Sequence, residues 1–171
     1  MSDQASFDVF VKANADSLLR TAFLMVLDAR EAEDLVQDCL LKVARDWPRV
    51  SSMREPIAYT RRVLINLTTD DARARARRRA ELHETPAEFG ADSSELSRFE
   101  SRAELVAALR ALPPRQRAMI VLRYFLDLSE AETARALGCG VGTVKSTSSK
   151  ALARLRESLK SDHRLPEVSE S

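Results

Sequence analysis

The residues most suited to chemistry lie between positions 143 and 154, where small hydroxyl side chains alternate with cations. Their spacing of three and four residues places most of them on one face of a helix. Hydroxyls and cations in such a row can hydrogen-bond to phosphates and to base edges, and small residues let a helix approach a groove closely. The candidate DNA-contacting residues here are Thr143, Lys145, Ser146, Thr147, Ser149, Lys150 and Arg154.

A short helix and a turn must hold this face in position. Residues 128–138 predict the short helix, because Ser129 and Glu132 have the spacing of a capping box and Gly138 stands where a helix would end. After a turn of three or four residues, a second helix is predicted over residues 141–159. The pattern predicts a helix-turn-helix, and an ordinary helical hairpin with a polar face is the alternative.

A second cationic block lies in residues 73–79, where five of the seven positions are arginine. The planar guanidinium group suits phosphate, which favours nucleic-acid contact over a merely solvated helix end. The preceding residues, 66–71, are Asn, Leu, Thr, Thr, Asp and Asp. Because Asn, Thr and Asp side chains compete for backbone hydrogen bonds, a short loop or helix break is predicted there.

A third candidate surface lies on a helix predicted over residues 30–46. One face of this helix is apolar and includes Cys39, which predicts a buried, inert thiol. The opposite face is polar but carries Leu41, and a large apolar residue among charges is typical of a docking surface. A solvated helix face is the alternative. The candidate protein-binding residues are Asp34, Gln37, Asp38 and Leu41.

The net charge of +1 over 171 residues hides an uneven distribution. Residues 59–80 carry a net charge of +5 and residues 105–160 carry +6, whereas residues 81–104 carry −5. Proline, glycine and serine are concentrated near the acidic segment, which predicts a flexible linker over residues 80–102. The chain is therefore predicted to be all-α, with helical domains over residues 1–79 and 103–160 and a polar tail over residues 161–171.

Several functional classes find no support in the sequence. Two cysteines a hundred positions apart and two histidines give no metal-ligand spacing, and there is no glycine-rich phosphate loop or nucleophile motif, so neither an enzyme nor a metal or other cofactor is expected. The longest apolar run is six residues, which is too short for a membrane span. No signal-peptide pattern opens the chain, so a cytoplasmic protein without membrane insertion is expected.

Three motifs in order resemble the sigma-70 family of RNA polymerase sigma factors. Residues 33–38 resemble the acidic and glutamine signature of region 2, and residues 56–66 resemble its promoter-melting segment. Residues 112–117, 122–124 and 142–146 resemble region 4. With only these two regions and a linker, the chain resembles an extracytoplasmic-function (ECF) sigma factor of the short actinobacterial type, which shares Thr-Val-Lys-Ser-Thr at residues 143–147.

The resemblance implies a function for each surface. The face on residues 34–41 would dock on core RNA polymerase, residues 143–154 would contact the −35 element in the major groove, and the acidic linker would thread a cationic RNA channel of the polymerase. The loop over residues 67–70, together with Asn66, would capture a base flipped from the single-stranded non-template strand of the −10 element, and the arginines would hold nearby phosphates. The implied −10 residues are Asn66, Leu67, Thr68, Thr69, Asp70, Arg73, Arg75, Arg77 and Arg78. An anti-sigma factor becomes a further candidate partner.

The sequence also departs from the family pattern. Ala72 stands near a position that is often bulky, Gly140 stands where a serine cap is common, and Thr147 and Lys150 replace arginines of many relatives. The −35 sequence preference therefore does not transfer. The alternative function is a DNA-binding regulator that acts without polymerase as a helix-turn-helix dimer, although no dimerisation stripe is evident.

Overall fold

The computed structural model describes residues 3–82 and 100–161, and within these ranges it describes only the backbone of residues 71, 75, 76, 79, 100–102 and 161. Every element in these ranges is helical, which confirms the predicted all-α class. The predicted linker, residues 80–102, and the tail, residues 161–171, lie mostly outside the described residues. The helices are α1 (Asp3–Val26), α2 (Ala29–Arg45), α3 (Trp47–Ser51), α4 (Pro56–Leu82), α5 (Glu100–Arg110), α6 (Pro114–Ile120), a π-helical turn (Val121–Phe125), α7 (Glu130–Leu137) and α8 (Val141–Ser161).

The N-terminal domain packs α1, α2 and α4 around a common apolar core. Trp47 closes one end of this core: its ring lies 5.1 Å from that of Phe7 and 4.9 Å from that of Phe10, and its Nε1 donates to Ser6 Oγ at 2.7 Å. The apolar stripe predicted on α2 is buried except for half-buried Leu40. α2 is thereby held rigidly, with its opposite face outward.

Cys39 lies at the centre of this core and is fully buried. Its Sγ donates to the carbonyl oxygen of Thr60 at 3.4 Å, and burial raises the pKa of the thiol to about 11. The thiol therefore stays protonated at neutral pH and joins α2 to α4, which confirms the predicted inert cysteine.

The loop or helix break predicted over residues 66–71 is wrong, because α4 runs unbroken from Pro56 to Leu82. The hydroxyl groups of Thr68 and Thr69 both donate to the carbonyl oxygen of Ile65 at 2.8 Å. These side chains bond within their own helix instead of drawing the backbone out of it. Asp70 pairs with Arg73 one turn later at 3.7 Å, which adds a weak local contact.

The C-terminal domain contains the predicted helix-turn-helix. Both capping-box bonds at the start of α7 are present: Glu132 N donates to Ser129 Oγ at 3.1 Å, and Ser129 N donates to Glu132 Oε2 at 2.7 Å. Gly138 ends α7 in the left-handed conformation with φ +61°, where a side chain would be strained. α8 buries Val144, Ala151 and Leu155 and so turns its polar face outward.

The two domains pack against each other, which the sequence did not predict. Met25 of α1 and Ile65 of α4 lie in one buried cluster with Met119, Leu122 and Leu137 of the C-terminal domain. The chain therefore has an apolar core between its domains as well as within them.

Candidate nucleic-acid and protein interfaces

The outer face of α2 presents all four of the predicted docking residues to solvent. Asp34, Gln37, Asp38 and Leu41 are exposed, and their spacing of three and four residues puts them on one side of the helix. Leu41 is the one large apolar residue among these four, and its side chain is 58% exposed. Neither Asp34 nor Asp38 has an ion-pair partner among the described residues. The α2 docking face, as we call these four residues, thus carries two carboxylates and an amide with an exposed leucine at its C-terminal end.

The outer side of α4 forms a polar stripe rather than a base-holding loop. Asn66, Asp70, Arg73, Arg77 and Arg78 are exposed, whereas Leu67 and Thr69 are half-buried. Thr68 is only 4% exposed, so it cannot contact a base in this conformation. Arg75 lies on α4, but its side chain is outside the described part of the structure.

Asn66 is the polar group on this stripe best suited to a base edge. It is exposed, and its side chain makes no hydrogen bond to another described residue. A carboxamide carries both donors and an acceptor, which lets it pair with a base edge in a bidentate manner.

Arg62 belongs to the same stripe and was missed by the sequence analysis. It is exposed and lies one turn before Asn66, so the row continues through Asp70, Arg73 and Arg77 at steps of three or four residues. The predicted helix break hid this signal, since a loop at residues 66–71 would have ended the row. We call the row Arg62, Asn66, Asp70, Arg73 and Arg77 the α4 stripe.

The outer face of α8 carries the predicted major-groove residues. Thr143, Lys145, Ser146, Ser149, Lys150 and Arg154 are exposed, and Thr147 is half-buried. Gly140 precedes the helix, and a Cβ at this position would meet nothing closer than Thr143 Oγ1 at 3.9 Å. Gly140 has no side chain that could cap the first N–H groups of α8.

Gln116 of α6 touches the α8 face and was also missed. The Nη1 atom of Arg154 donates to Gln116 Oε1 at 3.1 Å, so a side chain from another helix orients the last cation of the face. Arg115, its neighbour on α6, is exposed. The sequence gives only a weak signal for the contact between Gln116 and Arg154: residues 112–117 resemble part of region 4, but the resemblance implies no role for Gln116.

Other kinds of site are not found in the described residues. Within residues 3–82 and 100–161, no group of three or more His, Cys, Asp or Glu side chains is placed to hold a metal ion. None of the described helices combines the length and the hydropathy needed to cross a membrane.

Comparison with known proteins shows the family of the chain. Residues 10–78 match the family model of sigma-70 region 2, and residues 102–155 match that of sigma-70 region 4. The chain is also 42% identical over 158 residues to the RNA polymerase sigma-E factor of Streptomyces avermitilis, covering 91% of this chain and 86% of the relative. The chain belongs to the sigma-70 family of RNA polymerase sigma factors. The presence of region 2 as well as region 4 favours a sigma factor over a stand-alone helix-turn-helix regulator.

Further relatives place this sigma factor in the extracytoplasmic-function group. It is 31% identical to the ECF sigma factor SigM of Mycobacterium tuberculosis, over 90% of this chain and 76% of the relative. The structure of RpoE from Bartonella quintana, solved with the anti-sigma factor NepR, superposes with a TM-score of 0.67 at 27% identity, covering 92% of this chain and 98% of RpoE. CnrH, solved with the cytosolic domain of CnrY, shares the fold with a TM-score of 0.62 at 21% identity, over 93% and 90% of the two chains.

Proposed function

We propose that this sigma factor binds core RNA polymerase and directs promoter-specific initiation through its three exposed surfaces. The observation that carries the proposal is that the α2 docking face, the α4 stripe and the α8 face are each exposed on a helix that also has a buried side, which on α4 extends as far as Thr68. One surface holds the polymerase, and two contact the promoter.

The α2 docking face suits a cationic protein surface with an apolar pocket. Asp34 and Asp38 supply negative charge, which steers association and fixes the register of docking. Leu41 supplies the apolar contact, since its exposed side chain would be removed from water in the complex. This mixture is typical of the centre and rim of protein interfaces.

The α4 stripe suits the melted non-template strand of the −10 element. Extruding a base costs a few kcal/mol of unstacking and unpairing, and contacts to the flipped base must offset that cost. Asn66 offers these contacts, while Arg62, Arg73 and Arg77 lie along the same line to hold phosphates on either side. The carboxylate of Asp70 pairs with Arg73 and so lowers the net positive charge of the α4 stripe.

The α8 face suits duplex DNA at the −35 element. A helix of this kind enters the major groove with its N-terminal residues toward the base edges. Thr143, Lys145 and Ser146 lie in the first two turns of α8, and Lys150 and Arg154 lie further along the helix, where they suit phosphate contacts.

The remaining partners and the setting follow from this role. We place the sigma factor in the cytoplasm with the polymerase, and initiation by this route needs no catalytic residue or cofactor in this chain. The acidic segment, residues 81–104, is proposed to follow a cationic channel of the polymerase. RpoE was solved in complex with the anti-sigma factor NepR, and an anti-sigma factor is proposed as a partner here as well.

Run-off transcription tests the proposed function directly. Promoters would first be mapped after overexpression, and the purified chain would then be added to core polymerase on one of those templates. A defined transcript that appears only with both proteins is expected. Duplex binding without any stimulation of transcription would support the polymerase-independent regulator instead.

Replacing Arg77 and Arg78 together with alanine should flatten the salt dependence of promoter binding. Each phosphate contact contributes roughly 0.7 to 0.9 to the slope of log K against log salt, so two lost contacts should reduce the slope by about 1.4 to 1.8. Fluorescence anisotropy of the holoenzyme on promoter DNA across a salt series measures this. Arg20 and Arg30, exposed on α1 and α2, give a matched double-alanine control. An unchanged slope in the Arg77/Arg78 variant contradicts phosphate contact.

Gln116 and Arg154 should be energetically coupled in binding to the −35 duplex. Because Gln116 orients Arg154, replacing either residue should weaken binding to the duplex. The loss of binding free energy in the double variant should be smaller than the sum of the two single losses by about 0.5–1.5 kcal/mol. Titrations of Gln116→Ala, Arg154→Ala and the double variant complete the cycle. Arg115→Ala with Arg154→Ala is the control pair and should be additive. Additivity in both pairs would show that Gln116 has no positioning role.

A further inference from the structure

Val141, the first residue of α8, is a large apolar side chain that the core does not use. It is 46% exposed and belongs to none of the three apolar clusters formed by the described residues. Among the described side chains of α8, it is the one large apolar residue that is exposed. Its side chain is therefore available to a partner outside the chain.

The position of Val141 puts it on the same side of α8 as part of the α8 face. Lys145 and Ser149 follow it at steps of four residues, and both are exposed, so the three side chains form one row along the helix. A helix that enters the major groove directs its N-terminal residues toward the base edges. Val141 heads this row and thus stands where base contacts, rather than phosphate contacts, are made.

The backbone around Val141 is bare for a reason that lies outside the fold. Gly140 stands at the N-cap, where glycine is common, but Gly142 lies inside α8, where glycine is a poorer helix former than alanine. Gly142 does not have a positive φ, and a Cβ there would meet nothing within 4 Å. Neither the backbone conformation nor packing among the described residues requires this glycine. A close approach by another molecule accounts for it.

Val141 also forms one wall of a surface depression between α7 and the turn that follows it. The other walls are mostly small side chains, among them Ala131, Ala134 and Cys139. Arg135 is the one charged residue among the described ones that line the depression, and its side chain is exposed. The surface beside Val141 therefore offers apolar contact and few hydrogen-bonding groups, which suits a small apolar group better than a polar base edge.

The apolar group that a base edge presents in the major groove is the 5-methyl group of thymine, and 5-methylcytosine carries the same group. We propose that Val141 reads a pyrimidine 5-methyl group at the −35 element. This inference deepens the proposed function of the α8 face and rests on it. The methyl group is removed from water against the valine side chain, so one position of the element favours a methylated pyrimidine over cytosine. The hydroxyls and cations of the α8 face supply the hydrogen bonds around this contact.

Base analogues that differ only in the 5-methyl group test the inference. Holoenzyme assembled from core polymerase and the full chain would bind labelled duplexes of a mapped promoter in which each thymine of the −35 element is replaced, one at a time, by deoxyuridine. At one position the affinity should fall by about two- to fourfold, since burying one methyl group is worth up to about that factor. In a second series each cytosine becomes 5-methylcytosine. A loss in the first series identifies thymine as the source of the methyl group, and a gain in the second identifies methylated cytosine.

Val141→Ala should abolish this difference between methylated and unmethylated bases, because alanine draws the apolar surface back from the groove. Val141→Ile keeps that surface and should keep the difference. Val9 is 60% exposed on α1, so Val9→Ala is the matched control and should behave as the wild type. A methyl effect that persists in Val141→Ala would assign the contact to another residue and overturn the inference. Wild-type holoenzyme that is indifferent to both base analogues would overturn it as well.

Gly142→Leu tests the close approach separately. Leucine is the better helix former and has open space at this position, so the fold should be kept, and circular dichroism would check helix content. Its side chain should weaken binding of every −35 duplex by about fivefold or more, since overpacking a close contact costs at least that factor. Unchanged affinity would contradict the close approach and with it the role of Val141.

Run-off transcription separates failure of this inference from failure of the proposed function. If the wild-type holoenzyme gives no transcript, both are overturned together. If it gives a transcript but binds the thymine and deoxyuridine duplexes equally, and the 5-methylcytosine duplexes no better, only the role of Val141 is overturned.

Discussion

Asn66→Ala should slow open-complex formation while leaving the closed promoter complex nearly intact. A bidentate amide contact to a base is worth about 1–3 kcal/mol, so the fraction of open complex should fall by roughly 5- to 150-fold. Asn66 is exposed on a continuous helix, and alanine is the better helix former, so folding should not suffer. Permanganate footprinting of unpaired thymines in the −10 element measures opening, and a mobility shift on the same template measures closed binding.

The control for Asn66 removes a similar amide elsewhere. Gln4 is exposed on α1, where its Nε2 donates to Asp8 Oδ1 at 3.0 Å, and Gln4→Ala should leave both assays unchanged. An equal loss of closed and open complexes for Asn66→Ala would show that this residue only helps to bind duplex DNA. No change in either assay would remove Asn66 from the proposed −10 surface altogether.

Local signals predicted the helix-turn-helix because its determinants lie close together in sequence. Ser129 and Glu132 need only each other to form the capping box, and Gly138 needs only a left-handed φ to end α7. The exposed side of α2 followed in the same way from a strict helical period, which left Leu41 among charged residues.

The α4 prediction failed because propensity was outweighed by packing and by bonding within the helix. Thr68 and Thr69 are weak helix formers, but both hydroxyls find the carbonyl oxygen of Ile65, and Leu64 anchors the preceding turn in the core. Tertiary contacts of this kind routinely override a local preference. As a consequence, Arg62 and Asn66 share one straight row instead of standing on either side of a loop.

The contact between the domains has no local signature at all. Met25 and Ile65 fit the apolar period of their own helices, so nothing in the pattern separates them from ordinary core residues. Leu27 has a positive φ, and the left-handed region that it occupies is usually occupied by glycine. Arg117 has the sequence pattern of an ordinary surface cation, but in the structure its guanidinium donates to three backbone carbonyl groups. Each depends on residues more than fifty positions away, which a window along the chain cannot contain.

Asp38→Lys should weaken binding to core RNA polymerase by about tenfold or more. Reversing the charge replaces an attraction by a like-charge contact, and such juxtapositions cost several kcal/mol across an interface. Asp38 is exposed and lies between Asp34 and Leu41 on the α2 docking face. The new lysine would therefore stand next to both the remaining carboxylate and the apolar contact. Competition against a labelled wild-type chain for core polymerase would measure the affinity at two salt concentrations.

The matched control is Asp16→Lys, which makes the same charge change at an exposed position on α1. Its affinity for core polymerase should stay within about twofold of the wild type, because isolated surface charges contribute little.

Leu41→Ala should also weaken binding to core polymerase, but without a change in the salt dependence of binding, since it removes an apolar contact and no charge. If Asp38→Lys and Asp16→Lys lose affinity equally, only the net charge of the chain matters and α2 is not the docking surface. A loss confined to Asp38→Lys and Leu41→Ala would instead place the polymerase on the outer face of this helix.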